Sequence, residues 1–106
     1  MKKPVFTGAA VAIITPMHAD GSINYDEIGR IIEDQIVNHT DAIVICGTTG
    51  ESPALDHEEH TQCIRYTVQK VAGRVPVIAG TGSNDTRYAI HLSQQAQEDG
   101  ADALLL

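Results

Sequence analysis

The five residues Gly47-Thr48-Thr49-Gly50-Glu51 carry the clearest chemical signal in the chain. The glycines let the backbone turn tightly and bring its peptide groups close to a ligand with no Cβ in the way. The adjacent N–H groups of Thr48 and Thr49 then lie at a strand-to-helix turn, where no strand partner uses them. That arrangement suits an anion, a carboxylate above all. A threonine hydroxyl donates and accepts at once, which is what a proton relay needs. The plainer alternative is a Gly-Thr turn whose hydroxyls only cap the next segment, and spacing alone leaves both readings open.

Other candidate groups are weaker. Gly80-Thr81-Gly82 begins like a dinucleotide fingerprint, but the third glycine would fall at Asp85, so a strand-to-helix turn is the better reading. No phosphate-binding loop motif of the P-loop type is present. His57 and His60, flanked by Glu58 and Glu59, stand three residues apart at the start of a helix without a third ligand. No metal site is expected there, and both histidines read as solvated or ligand-contacting. A nucleophilic lysine must be desolvated or charge-perturbed. Lys2 and Lys3 precede the first strand and Lys70 ends a surface helix, so none is placed for covalent chemistry. Cys46 and Cys63 fit no metal or redox spacing; Cys46 reads as a small buried hydrophobe.

The elements that must position these groups alternate. Phe6–Ile14 is a short apolar run without polar alternation and reads as a strand buried on both faces. His18-Ala19-Asp20-Gly21-Ser22 is a turn cluster. Asn24 and Glu27 form a capping box ahead of Ile28, Ile31, Ile32 and Ile36, whose spacing predicts a helix ending near Asn38-His39. Ala42–Cys46 is a second buried strand. Asp56 and Glu59 cap a helix with Cys63, Ile64, Thr67, Val68 and Val71 on one face, ended by Gly73. Val75–Ala79 is a third strand, with Pro76 near its start, where a missing donor is tolerated. Ser83 or Asn84 caps a third helix with Ala89, Leu92, Ser93 and Ala96 inward and Gly100 at its close. Ala103–Leu106 opens a fourth strand.

The order βαβαβαβ predicts a parallel sheet in the order 1-2-3-4. Ligands of such folds sit beyond the C-terminal strand ends, which places Thr15, Thr48, Thr49 and Thr81 at one mouth. Composition narrows the partners. The chain carries 7 Lys and Arg against 14 Asp and Glu, a formal net charge of -7, which argues against nucleic acid and against an anionic membrane surface. An anionic ligand would therefore have to be drawn by local donors. No signal peptide or membrane-spanning run is visible, and two unpatterned thiols suit a reducing cytoplasm.

Three segments in order resemble the first strand motifs of the dihydrodipicolinate synthase family: Thr7-Gly8 through Ile14-Thr15-Pro16, Gly47 through Ser52, and Pro76 through Gly82. The resemblance covers nearly the whole chain. It implies an α/β fold, a (β/α)8 TIM barrel, of which residues 1–106 supply the first βαβαβαβ portion of one domain that continues further. The uncapped apolar end Leu104-Leu105-Leu106 fits that expectation.

The resemblance further implies a pyruvate-dependent class I aldolase, a cytoplasmic lyase that condenses pyruvate with L-aspartate 4-semialdehyde in lysine (diaminopimelate) biosynthesis. Thr48 and Thr49 would hold the pyruvate carboxylate. Thr48 would also be catalytic, relaying protons with two tyrosines, one of them from a neighbouring subunit of a homotetramer or dimer. No cofactor is implied; a lysine beyond residue 106 would form the Schiff base. Related lyases of other 2-keto acids, such as N-acetylneuraminate lyase, typically have Ser where this chain has Thr48, which favours the synthase. A non-catalytic half-barrel is the rival of a different class. The positions matching the family's allosteric lysine site are Ser52, Pro53, His57, His60, Asn84 and Tyr88. Feedback-inhibited members commonly carry a glutamate at the last of these, so Tyr88 implies weak lysine feedback, a phenol being a poorer partner for an ammonium than a carboxylate.

Overall fold

The computed structural model describes residues 3–106. Strands β1 (Ala10–Ala12), β2 (Ala42–Ile45), β3 (Val77–Gly80) and β4 (Ala103–Leu105) alternate with helices α1 (Tyr25–Val37), α2 (His57–Val71) and α3 (Thr86–Glu98). The sheet order is β1-β2-β3-β4 with every neighbouring pair parallel, as the alternation predicts. Among the described residues the one antiparallel contact lies outside the sheet: a Met17–Ile23 bridge closes the turn at His18–Ser22 and returns the chain toward α1.

The core forms where helix stripes meet one face of the sheet. Ile28 and Ile32 of α1, Cys63, Ile64 and Val71 of α2, and Ala96 of α3 pack with Ile13, Ile43, Ile45, Val77 and Ala79. Successive strand residues point to opposite faces, and within these residues only one face of the first strand, expected to be buried on both, is covered. Val11, Ile13 and Thr15 turn toward the helices, while Ala10, Ala12 and Ile14 are exposed. Among the described residues nothing covers the second face at this edge strand. Central β2, flanked on both sides, is buried throughout.

Local signals mostly hold. At α2 the Asp56 carboxylate accepts from the Glu59 N–H and the Glu59 carboxylate accepts from the Asp56 N–H, a complete capping box. At α1 only half of the box forms. Asn24 accepts from the Glu27 N–H, but the Glu27 carboxylate turns to Arg30, and the Asn24 N–H is already given to Pro16 O. The α3 cap is neither Ser83 nor Asn84. Asp85 accepts from the Arg87 N–H, while the Ser83 hydroxyl accepts from the Asp85 N–H one step earlier.

Candidate functional site

Thr15, the Gly47–Glu51 loop and Thr81 follow the C-terminal ends of β1, β2 and β3, so the parallel order brings them to one mouth. The chain leaves β2 through Cys46 with φ 58° and leaves the loop through Glu51 with φ 59°, both left-handed. Gly47 and Gly50, expected to make the tight turn, are not in that region. At Gly50 space is short: a Cβ would lie 3.1 Å from Thr15 Oγ1 and 3.2 Å from Ile13 O, so the end of β1 would have to give way, whereas at Gly47 a Cβ would meet only Val44 Cγ1 at 3.4 Å. Left-handed backbone on non-glycine residues costs free energy and persists only where the surroundings enforce it. Here it brackets the loop on both sides.

Inside the bracket, the Gly50 N–H donates to Gly47 O and the Glu51 N–H to Thr48 O, both at 3.0 Å. The N–H groups of Thr48 and Thr49 have no acceptor among the described residues, and both threonines are exposed. Two adjacent unpaired donors at the start of successive turns reproduce the anion-binding end of a helix. A single turn of 3₁₀ helix, Ser52–Ala54, then leads the chain away toward α2.

A cavity of about 870 Å³ opens beside the loop and is lined by Thr48 together with Ser52, Pro53, His60, Asn84 and Tyr88. The two residue sets singled out from the sequence, one around the loop and one for an allosteric ligand, thus share one cleft. Thr49 and His57 do not line it. His57 borders a separate groove along α2, its ring 6.2 Å edge-on from Tyr88 and 4.8 Å from His91.

His60 corrects the reading of a solvated histidine, although it remains in the wall of the cleft. It is 2% exposed, and its ring Nε2 lies 2.8 Å from Gly80 O, a geometry in which the Nε2–H donates. Burial holds its pKa below the ordinary value, with the nearby His57 acting in the same direction. The neutral ring therefore serves as a strut between α2 and the end of β3. The signal that sequence reasoning missed is its place on the inward stripe, three residues before Cys63.

Gly80 completes the joint, because a Cβ there would overlap the Cys46 carbonyl. Cys46 and Cys63 are both buried and free. The neighbouring Cys63 sulfur, together with burial, pushes the Cys46 thiol far above the usual thiol range, so it packs as a neutral group, its Sγ 3.9 Å from His60 O. Behind β3, Thr81 is fully buried and its hydroxyl pairs with Ser93 at 2.8 Å.

Lys70 lies at the end of α2, 3.6 Å from Glu33, away from the mouth. Lys3 is exposed ahead of β1, and Lys2 lies outside the described residues. Among the described residues no three His, Cys, Asp or Glu side chains converge on a point that would hold a metal, and no helix is long and apolar enough to cross a membrane.

Comparison with known proteins agrees with this geometry. Residues 5–106 match the model of the dihydrodipicolinate synthetase family. A 4-hydroxy-tetrahydrodipicolinate synthase of Acetivibrio thermocellus is 60% identical over 105 residues, covering 99% of this chain and 36% of that protein. The crystal structure of dihydrodipicolinate synthase from Aquifex aeolicus superposes with a TM-score of 0.90 at 50% identity, over 93% of this chain and 33% of its own. The chloride-inhibited enzyme of Acinetobacter baumannii, solved in complex with pyruvate, gives a TM-score of 0.91 at 46% identity, over 93% of this chain and 34% of its own. The chain spans about a third of the length of these relatives. With the order of its strands, the loop after β2 and the family match all in agreement, this chain belongs to the dihydrodipicolinate synthetase family and has the fold of a portion of its TIM barrel.

Proposed function

We propose that these residues form the carboxylate-binding corner of a 4-hydroxy-tetrahydrodipicolinate synthase, a lyase of lysine and diaminopimelate biosynthesis that joins pyruvate to L-aspartate 4-semialdehyde through a Schiff base. The observation that carries the reading is the pair of unpaired N–H groups on Thr48 and Thr49, held at the mouth between two left-handed residues. Pyruvate presents a planar carboxylate beside a ketone. With the carboxylate on the two N–H groups, the ketone carbon points out of the loop toward a lysine that another part of the barrel supplies. Thr48 lines the cleft, and a threonine hydroxyl can take a proton from one neighbour while giving its own to another. It then acts as a relay between tyrosines supplied from outside these residues. The protein would work in the cytoplasm as a homo-oligomer, tetramer or dimer, without a bound cofactor.

The allosteric positions fit weak control by L-lysine. Tyr88 lines the cleft with no carboxylate to offer, and its ring meets His57 edge-on.

The test is a chimera: residues 1–106 joined to the part of the Acetivibrio thermocellus relative that lies beyond the matched region. Pyruvate with borohydride should leave a covalent adduct on the chimera, and L-aspartate 4-semialdehyde should then be consumed. Calorimetric titration with L-lysine should give only heat of dilution. A folded chimera that traps no pyruvate would overturn the functional reading, and tight lysine binding would overturn the regulatory one.

A further inference from the structure

We propose that Thr15 is a positioning residue for the carboxylate site: its buried hydroxyl holds the Gly47–Glu51 loop in the strained shape that keeps the Thr48 and Thr49 N–H groups free. The proposal rests on the reading of that loop as a carboxylate site.

Thr15 is 3% exposed at the end of β1, and its Oγ1 lies 2.6 Å from Gly50 O, 35 residues away in sequence. A carbonyl only accepts, so the threonine hydroxyl must be the donor. A buried hydroxyl is costly unless paired, and valine would fill the same shape without that cost. What the hydroxyl contributes is therefore the bond itself, and the bond's other end is the loop.

Gly50 is gripped on three sides. Its N–H donates to Gly47 O at 3.0 Å, its carbonyl receives the Thr15 hydroxyl, and a Cβ on it would press on Thr15 Oγ1 at 3.1 Å and Ile13 O at 3.2 Å. The next residue, Glu51, carries the left-handed φ of 59°. The other bonds of Glu51 and Ser52 are local, Glu51 N–H to Thr48 O at 3.0 Å, Ala54 N–H to Glu51 O at 2.8 Å and a long Ser52 N–H to Gly47 O at 3.4 Å, so they move with the loop, whereas the Thr15 hydroxyl ties it to the end of β1. Without that tie the loop shifts away from β1 and Glu51 relaxes out of the left-handed region. The peptide planes behind it then rotate, and the two donors no longer converge on one carboxylate.

The experiment uses the chimera described above and reads the pyruvate concentration that gives half-maximal borohydride-trapped adduct. Thr15→Val should raise that concentration about tenfold, the cost of one lost hydrogen bond that shapes the site. The turnover at saturating pyruvate should change by less than about threefold, and Thr15→Ser should return half-saturation to within about twofold of the parent. A merely structural hydroxyl would lower the unfolding temperature and the yield, yet leave half-saturation of the folded fraction where it was. That outcome overturns the proposal. Should Thr15→Val fail to accumulate, Gly50→Ala decides, since its new methyl presses on the same hydroxyl and must produce the same selective rise in half-saturation. A parent chimera that traps no pyruvate refutes the carboxylate-site reading and this proposal with it. A parent that traps pyruvate beside an indifferent Thr15→Val refutes the positioning role alone.

Discussion

The two ends of the sheet are built from different chemistry. At the N-terminal ends of the strands, charge does the fastening. The Asp41 carboxylate takes the Ala9 N–H at 2.8 Å, Asp102 takes the Val77 N–H at 2.9 Å, and Glu33 spans Lys70 and Arg74. At the C-terminal ends the ties are hydroxyls, a neutral imidazole and backbone: Thr15 to Gly50, His60 to Gly80, Ser93 to Thr81. Among the described residues the lining of the cleft there includes no lysine or arginine, and the 106 residues carry a net charge of -7. On the carboxylate-site reading, what these residues offer an anion is peptide dipoles, and their charged fastenings lie at the opposite strand ends.

The contrast breaks most visibly at Thr48. Thr48→Val keeps the β-branched shape and the N–H but loses the hydroxyl. In the chimera, pyruvate should still form its adduct, while kcat falls on the order of 10²-fold or more with a much smaller change in KM. A raised KM with kcat intact would make Thr48 a binding residue only, and the relay would be dropped.

A second test asks which end loosens first in mild acid. Burial keeps the His60 pKa below its ordinary value of 6.5 in the folded chain. As pH falls, the unfolded chain takes up the proton first. The stability that His60 contributes is therefore complete above pH 6.5 and declines below it until the folded imidazole itself titrates. Thermal unfolding followed from neutral pH to about pH 5 should show this slope, and His60→Gln should flatten it. An equal slope in both proteins would move the acid sensitivity elsewhere.

The smallest expected effect belongs to the opposite end. Asp102→Ala leaves the Val77 N–H without its carboxylate and should cost about 1 kcal/mol in chemical denaturation. Half-saturation by pyruvate should not move. If it does, the two ends are coupled and the division of labour drawn above is wrong.

Much of this molecule could be read along the chain. Apolar stripes at helical spacing on α1, α2 and α3, between short apolar runs, fix a parallel αβ alternation because each records which face must leave water. The Asp56–Glu59 box is local, closed within four residues, so residue type and spacing suffice to specify it. The loop Gly47–Glu51 stood out for the same reason, as did its two donors.

What the alternation could not settle depends on partners far apart in sequence. The left-handed turns fall on Cys46 and Glu51 and not on Gly47 or Gly50, while Gly80 is demanded by the Cys46 carbonyl and Gly50 sits tightly against Thr15. Those approaches exist only once β1, β2 and β3 are in register. His60 looked solvated until α2 docked and turned it against Gly80 O. Asp85 took the α3 cap from its neighbours because the strand's exit path, not residue type, selects which side chain reaches the first free N–H. Thr15 was legible only as a threonine at a strand end facing the common mouth. Its bond to Gly50 spans 35 residues, and only the parallel packing of two strand ends brings that hydroxyl and that carbonyl together.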